Sequence, residues 1–452
     1  MTKLVFNHDW KALPQATTEL IPVQIYGIDG AARGDIATIG SPRPLVDQIK
    51  RLGVKIPVAE FDFLTLALAV TAADTFVDRK FSANGWTREF DLQIPLANPV
   101  SWQPYIAEFE KALHFLSGDI WRFTLLDGGL HPFEPFDGKR RRKMIAVDDL
   151  DSVCLFSGGL DSTIGAIDLF EKNVKPLLVS HAYSGDREHQ NILSKTLKHQ
   201  VSNFQLNAVP KRSRFMIDNK ISTDITMRAR SLNFLAFAAV GAAAIAKRNG
   251  LGKVPLYVPE NGFISLNVPL APRRLGTLST KTTHPYFLGK IQEIFDGVGI
   301  GVSIENPYQF KTKGEMITEC SNAAKLEKMV SDTVSCSHWK RNRRLKNKKQ
   351  CGTCVPCLIR RASLLRGALT ESSSYKEVDL ARHAKFGKNR DDIFAVIEAV
   401  TKSKNSKTNF SAWLSDSGPL GRDQKLREQY KQVFLSGLKE LEDLLKTEEA
   451  IT

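Results

Sequence analysis

Six consecutive residues, Ser157-Gly158-Gly159-Leu160-Asp161-Ser162, place two hydroxyls, two glycines and a carboxylate directly after a short apolar run. Val153 to Phe156 read as a buried parallel strand, and Ile164, Ile167, Leu169 and Phe170 as the apolar face of the helix that follows. The glycines therefore fall at the turn between strand and helix. Glycine lets a backbone approach phosphate oxygens, and the N–H groups at a helix start, with the positive end of its dipole, form an anion site. Ser157 and Ser162 add hydroxyl donors, and Asp161 is placed to reach a magnesium ion or to orient the loop. The spacing of a Walker A loop and that of a dinucleotide fingerprint are both absent. The plain alternative is a Gly-Gly turn that binds nothing.

Cysteine spacing is the second chemical signal. Cys351, Cys354 and Cys357 follow one another at two-residue intervals, with Cys336 upstream. Turns helped by Gly352 and Pro356 swing such sulfurs to one side, and four thiolates suit a tetrahedral zinc ion that leaves no open position for water. An iron–sulfur cluster, a redox dithiol and disulfides are the other readings. Cys154 and Cys320 read as ordinary buried thiols. No signal peptide opens the chain, so a reducing cytoplasm is expected and disulfides are disfavoured.

The loop and the cysteines together resemble the PP-loop ATP pyrophosphatase superfamily, and within it the 7-cyano-7-deazaguanine synthase (QueC) family. That family orders an SGGxDS loop early and a Ser-Cys then Cys-Gly-x-Cys-x-x-Cys pattern late. Ala182 to His189 is a loose counterpart of a family segment, and Arg230 to Phe234 sits where the family has Arg-Asn-x-x-Phe, with Ser231 replacing the asparagine. Asn306-Pro307 with Lys313 and Glu315 resembles a further segment, so the likeness covers about residues 150–366. The family's Tyr-Pro-Asp-Cys-Arg substrate segment is absent. The wording from Pro259 to Pro285, the N-terminal extension and the length are most similar to the QueC-like component of the Qat anti-phage defence system.

The resemblance implies an ATP-binding loop from Phe156 through Ser157, Gly158, Gly159, Leu160 and Asp161 to Ser162, using Mg2+ with ATP. A carboxylate substrate would attack the α phosphate, pyrophosphate would leave into the loop, and a nitrogen nucleophile would displace AMP. Catalytic roles fall on Ser157, Asp161 and Ser162, with Arg230 and Lys313 neutralising charge on the α phosphate. The implied substrate is 7-carboxy-7-deazaguanine. Glu260 and Asn261 would read its guanine-like edge, Phe263 or Tyr286 would stack on it, and Arg273, Arg274 or Lys281 would hold its acid group, with His284 available for proton transfer. The implied metal is structural Zn2+ on Cys336, Cys351, Cys354 and Cys357. The amine acceptor is expected on a partner protein of the same operon. Ammonia, giving a nitrile synthase, is the alternative, and a nucleic-acid-binding protein with a non-catalytic PP-loop fold is another.

These groups need elements to hold them. The expected fold class is α/β, with a parallel-sheet PP-loop domain of the adenine nucleotide alpha hydrolase type at 151–366, carrying the zinc element. Residues 1–138 read as an α+β docking module: strands at Leu4 to Phe6, Leu20 to Tyr26, Arg88 to Pro95 and Ile120 to Leu126, with helices at Phe61 to Phe76 and Trp102 to Leu116. Asp62, Asp74, Asp78 and Arg79 read as exposed-face charges on that module, and its removal is expected to spare adenylation while losing acceptor transfer. Residues 139–150 form a basic linker, and 367–452 a helical region ending in the stripe Tyr430, Val433, Phe434, Leu438, Leu441, Leu444 and Leu445.

The 452 residues exceed what one core usually supports. The longest apolar run, Phe234 to Ala246, is too short for a membrane span. A formal net charge of +14 suits an acidic partner or substrate. The basic runs from Lys340 to Lys349 and from Lys139 to Lys143 offer phosphate contacts to nucleic acid, or are solvated loops.

Overall fold

The computed structural model describes residues 1–28, 33–137, 144–181, 185–197, 202–224, 228, 230–275, 281–338, 350–372 and 375–451. Two five-stranded sheets organise the chain. The first holds β1 (Thr2–Asn7), β2 (Leu20–Ile25), β3 (Ala37–Ile39), β4 (Glu89–Pro95) and β5 (Ile120–Leu126) in the order β3-β2-β1-β4-β5. The second holds β6 (Ser152–Leu155), β7 (Pro176–His181), β8 (Asn203–Leu206), β9 (Val254–Tyr257) and β10 (Val302–Glu305) in the order β10-β9-β6-β7-β8. All the strand pairs within both sheets are parallel. The molecule is mixed α/β throughout, so the expected α+β class of the first 138 residues is corrected. In the first 138 residues, β1, β2, β4 and β5 lie where the sequence placed strands, whereas the three-residue β3 gave no pattern to read. Their parallel pairing escaped because the connection from β1 to β2 has only a three-residue 3-10 helix, which gives no periodic crossover signal.

Both sheets reverse their winding once, the first between β1 and β4 and the second between β6 and β9. At such a reversal the connections leaving two adjacent strands diverge to opposite faces and open a crevice at the carboxyl ends. The loop 157–162 leaves β6, and Val258 to Asn261 leave β9, so the two segments flank the crevice of the second sheet.

The helices that position this crevice are α1 (Val58–Phe76), α2 (Ile106–Ser117), α3 (Leu160–Glu171), α4 (Asp186–Leu197), α5 (Arg230–Asn249), α6 (Pro285–Val298), α7 (Lys313–Thr318), α8 (Val355–Arg366), α9 (Asp391–Ser403) and α10 (Gln424–Thr447). Sixteen of the nineteen residues of α1 are buried, which is the signature of a helix covered on all sides. It lies between the first sheet and α5, and Asn233 of α5 donates to Thr71 of α1 at 2.6 Å. One apolar cluster therefore runs from Leu4 and Phe61 through Phe237 to Val302 without a break at residue 138.

Of the charges on this face, Asp62, Asp74 and Arg79 are buried rather than exposed, and Asp78 is half-buried. Asp62 accepts from the backbone N–H groups of Ala97 and Asn98 at 2.9 Å each, and Arg88 joins Asp74 and Asp119 at 2.5 and 2.7 Å. Arg79 reaches the same Asp119 at 2.9 Å, whereas Asp78 accepts from Ser222 at 2.6 Å. At the other end, the stripe from Tyr430 to Leu445 is buried with α8, α9 and Phe263 in a separate cluster. Both basic runs lie outside the described residues. No helix among the described residues is long and apolar enough to cross a membrane.

Candidate active site at the Ser157 loop

The glycines of the loop carry out what the turn requires. Gly158 adopts φ +83°, a left-handed conformation that side-chain-bearing residues rarely hold. Gly165, one turn into α3, has no room for a methyl group because the Pro259 ring sits against it, which brings α3 close to the segment after β9. The turn is fixed from behind: Gln190 of α4 donates to the Ser157 carbonyl at 3.2 Å, and the Val334 N–H donates to the Gly158 carbonyl at 3.1 Å. Ser157 is exposed, and its Oγ lies 3.2 Å from that of Ser162, which donates to the Gly159 carbonyl at 3.0 Å. Phe156 and Leu160 are buried in the core and anchor the loop.

Below the loop, four residues named from the sequence meet. The Lys313 ammonium lies 3.0 Å from Asp161, and both side chains are buried. Asn261 donates to Asp161 from its side chain at 2.6 Å and from its backbone at 3.2 Å, while its own Oδ1 caps the short helix Gly262–Leu266. Burial opposes ionisation of Asp161, but Lys313 and hydrogen bonds from Glu260 and Asn261 outweigh it and hold the carboxyl below its usual range. The neighbouring Glu260 carboxyl is pushed well up, first by burial and then by the charge of Asp161. The two shifts run in opposite directions, so Asp161 gives up its proton more readily than Glu260 does.

Above the loop opens a cavity of about 300 Å³. Ser157, Ser162, Arg230, Glu260, Thr282 and Thr283 supply its polar wall, and Leu155, Phe234 and Leu288 are among its apolar groups. Arg230 starts α5, pairs with Asp186 at 2.6 Å and lies over the Phe234 ring. A cation, hydroxyls and a helix start around one cavity suit a phosphate-bearing ligand. Thr282 and Thr283 were not singled out from the sequence, where threonines in a loop give no signal.

The remaining expected residues are elsewhere. Asp161 and Lys313 are not among the residues lining the cavity; they form a buried ion pair beneath the loop. Phe263 stacks on Phe434 in the C-terminal core. Arg273 pairs with Glu398 at 3.2 Å and Arg274 with Asp392 at 2.5 Å, both on α9. Those carboxylates come from a helix more than 110 residues away in sequence, which no local pattern reveals. His284 is fully buried as the N-cap of α6, accepting from the Tyr286 N–H at 3.1 Å; burial, helped by Lys281, lowers its pKa to about 3. It is a neutral packing group. Lys281 and Tyr286 line a different pocket from the loop cavity.

The cysteines converge. Cys336, Cys351, Cys354 and Cys357 form one buried cluster and none is in a disulfide. Cys336, His338, Cys351 and Cys354 each offer one ligand atom, all within 4.8 Å of one another, and could hold a metal ion such as zinc. The Cys357 sulfur lies 3.8 Å from that of Cys351, so His338 is an added candidate beside the four thiols. Its Cys-x-His spacing was legible but was masked by the basic run that follows. The fit is chemical as well as geometric: the Cys351 and Cys354 N–H groups donate to the sulfurs of Cys336 and Cys351, each at 3.3 Å, which favours thiolates.

In comparisons with known proteins, neither a family model nor a curated protein matches the chain.

Proposed function

We propose that the chain is a PP-loop, AMP-forming ligase that activates a carboxylate with ATP and passes the acyl group to an amine. The carboxylate oxygen attacks the α phosphate, the bond from that phosphorus to the bridging oxygen breaks, and pyrophosphate leaves toward the Ser157 to Ser162 turn. The amine nitrogen then attacks the acyl carbon, AMP departs, and the amine loses a proton as the amide forms. One observation carries this reading: the glycine turn stands at the winding reversal of a parallel sheet and opens onto a cavity that also holds Arg230 and Glu260.

The residues divide the work. Ser157, Ser162 and the first-turn N–H groups of α3 receive the leaving pyrophosphate. Arg230 neutralises charge on the α phosphate, and Asp186 orients its guanidinium. Asp161, Lys313 and Asn261 keep the turn in shape. Glu260, on the cavity wall, offers carboxyl oxygens that accept from the substrate's N–H groups. Magnesium bound with ATP would screen the phosphate charges. The substrate class, a deazaguanine carboxylate, and the acceptor, an amine on a partner protein of a defence operon, follow from the sequence resemblance. The metal on the cysteine cluster would be structural zinc.

The test is mass spectrometry of reactions with the enzyme, ATP, magnesium and 7-carboxy-7-deazaguanine, given either ammonium or the protein encoded beside this chain. The expected result is AMP with an added acyl mass on that protein, lost in Ser157→Ala. A free amide or nitrile formed only with ammonium makes it a nitrile synthase. No AMP in any mixture overturns the ligase reading.

A further inference from the structure

A second pocket, of about 660 Å³, lies apart from the loop cavity. It is built where the first sheet meets the rest of the chain, from α2 and the start of β5 together with Asn267, Pro269, Arg274, Lys281 and Tyr286, and Asp416 and Pro419 also line it. The strip Lys281-Thr282-Thr283 divides the two spaces. Lys281 lines the second pocket, while Thr282 and Thr283 line the loop cavity.

The charges around this pocket are unbalanced. Lys111, Arg228, Arg274 and Lys281 face Glu110 and Asp416. Several of these are already engaged: Lys111 by Glu108 at 2.7 Å, Arg274 by Asp392, Glu110 by the Phe123 N–H at 3.0 Å, and Arg228 by the Ser117 carbonyl at 2.7 Å. Lys281 differs. It is partly buried and pairs with no carboxylate among the described residues; its ammonium instead sits 4.2 Å from the centre of the Phe115 ring. Burial lowers its pKa, so the site penalises the charge it carries. A partly desolvated ammonium of this kind gains most from an incoming anion, since little water competes for it.

The apolar part of the lining is aromatic. Tyr286 meets Phe115 edge to face at 4.8 Å, and Trp121 completes the ring surface. The volume and the mix of rings with a few polar groups match a small-molecule site. We propose that this pocket is a second ligand site, taking a small organic anion that carries a flat ring, with its acidic group on Lys281 and its ring among Phe115, Tyr286 and Trp121. Carboxylate and phosphate are equivalent in this recognition, which does not depend on what the loop cavity binds.

Calorimetric titration of the full chain tests it, with 1-naphthoate and 1-naphthyl phosphate as the anionic probes and 1-naphthylmethylamine as the cation of like shape. Both anions are expected to bind and the amine not to. Lys281→Gln should weaken the anions at least about tenfold, the worth of one charge-assisted hydrogen bond, and Lys281→Arg should retain them. Ser157→Ala, which alters only the loop cavity, should leave the affinities unchanged. Whichever of the two anions binds alone identifies the acidic group preferred. Absence of binding by both, equal binding of the amine, or a loss in Ser157→Ala without a loss in Lys281→Gln overturns the proposal.

Discussion

Asp161 shows how burial fixes the surroundings of a carboxylate that the sequence leaves open. Its position in the SGGLDS turn allowed either a magnesium ligand or an orienting group for the loop, and its carboxylate is turned inward onto Lys313 and Asn261. Asp161→Asn leaves the Lys313 ammonium buried without its counter-charge, and such a loss costs about 3–5 kcal/mol. Ser157→Ala removes an exposed hydroxyl and should change stability by less than about 0.5 kcal/mol. Urea unfolding of the two variants separates the scaffold from the surface of the loop; equal destabilisation would contradict the assignment. His284 gives a pH test at the same scale. Its folded pKa, about 3, lies below the ordinary value of 6.5, so its contribution is present above pH 6.5 and is lost as pH falls toward 3. Between those limits the wild type should lose up to about 1.4 kcal/mol per pH unit from this group. His284→Asn keeps a capping acceptor and should flatten that slope, and identical slopes in the two proteins would remove His284 from the account.

Among the elements, the segment before Cys336 links the metal cluster to the loop. Val334 donates to the Gly158 carbonyl, and Thr333 is tied to Arg360 of α8 and to Gln350, which also holds the Ser335 N–H at 2.9 Å. Only one residue separates Val334 from the thiol of Cys336. A metal ion held by Cys336, His338, Cys351 and Cys354 would therefore clamp the rear of the Ser157 to Ser162 loop. Elemental analysis is expected to find one zinc per chain. Chelation, or Cys354→Ser, should speed amide exchange in residues 333–336 and 156–159 together. Faster exchange at the cysteines with an unchanged loop would show that the cluster acts alone.

For the whole molecule, the continuous core changes the meaning of the first 138 residues. Helix α1 is covered on one side by the first sheet and on the other by α5, whose opposite side packs on the second sheet. Each large apolar side chain uncovered at that seam costs about 1.5–3 kcal/mol, and Leu235, Phe237 and Phe295, which the deletion leaves behind, belong to the same core. Deleting residues 1–138 is thus expected to give an aggregated or molten chain rather than a folded enzyme without its acceptor site. Circular dichroism with a thermal melt of the truncated chain checks this: a cooperative transition near the intact protein's would restore a separable module. The same seam contributes one side of the second pocket, so the first sheet forms part of its wall.

The sequence alone determined what depends on neighbours along the chain. Strand β6, the glycine turn and α3 follow from a short apolar run, two glycines and a 3.6-residue repeat, and the convergence of the cysteines was legible in the two-residue spacing of Cys351, Cys354 and Cys357 with Cys336 upstream. So was the buried stripe of α10. Tertiary structure decided what depends on residues far apart. It placed Arg273 and Arg274 on α9, set Lys313 under Asp161, added His338 to the thiols and divided Lys281 from the threonines beside it. It also made the first sheet parallel and joined it to the second through α1 and α5. The physical reason is that periodicity records which face of an element avoids water, whereas the partner of a buried charge or helix is fixed only when distant segments close on it.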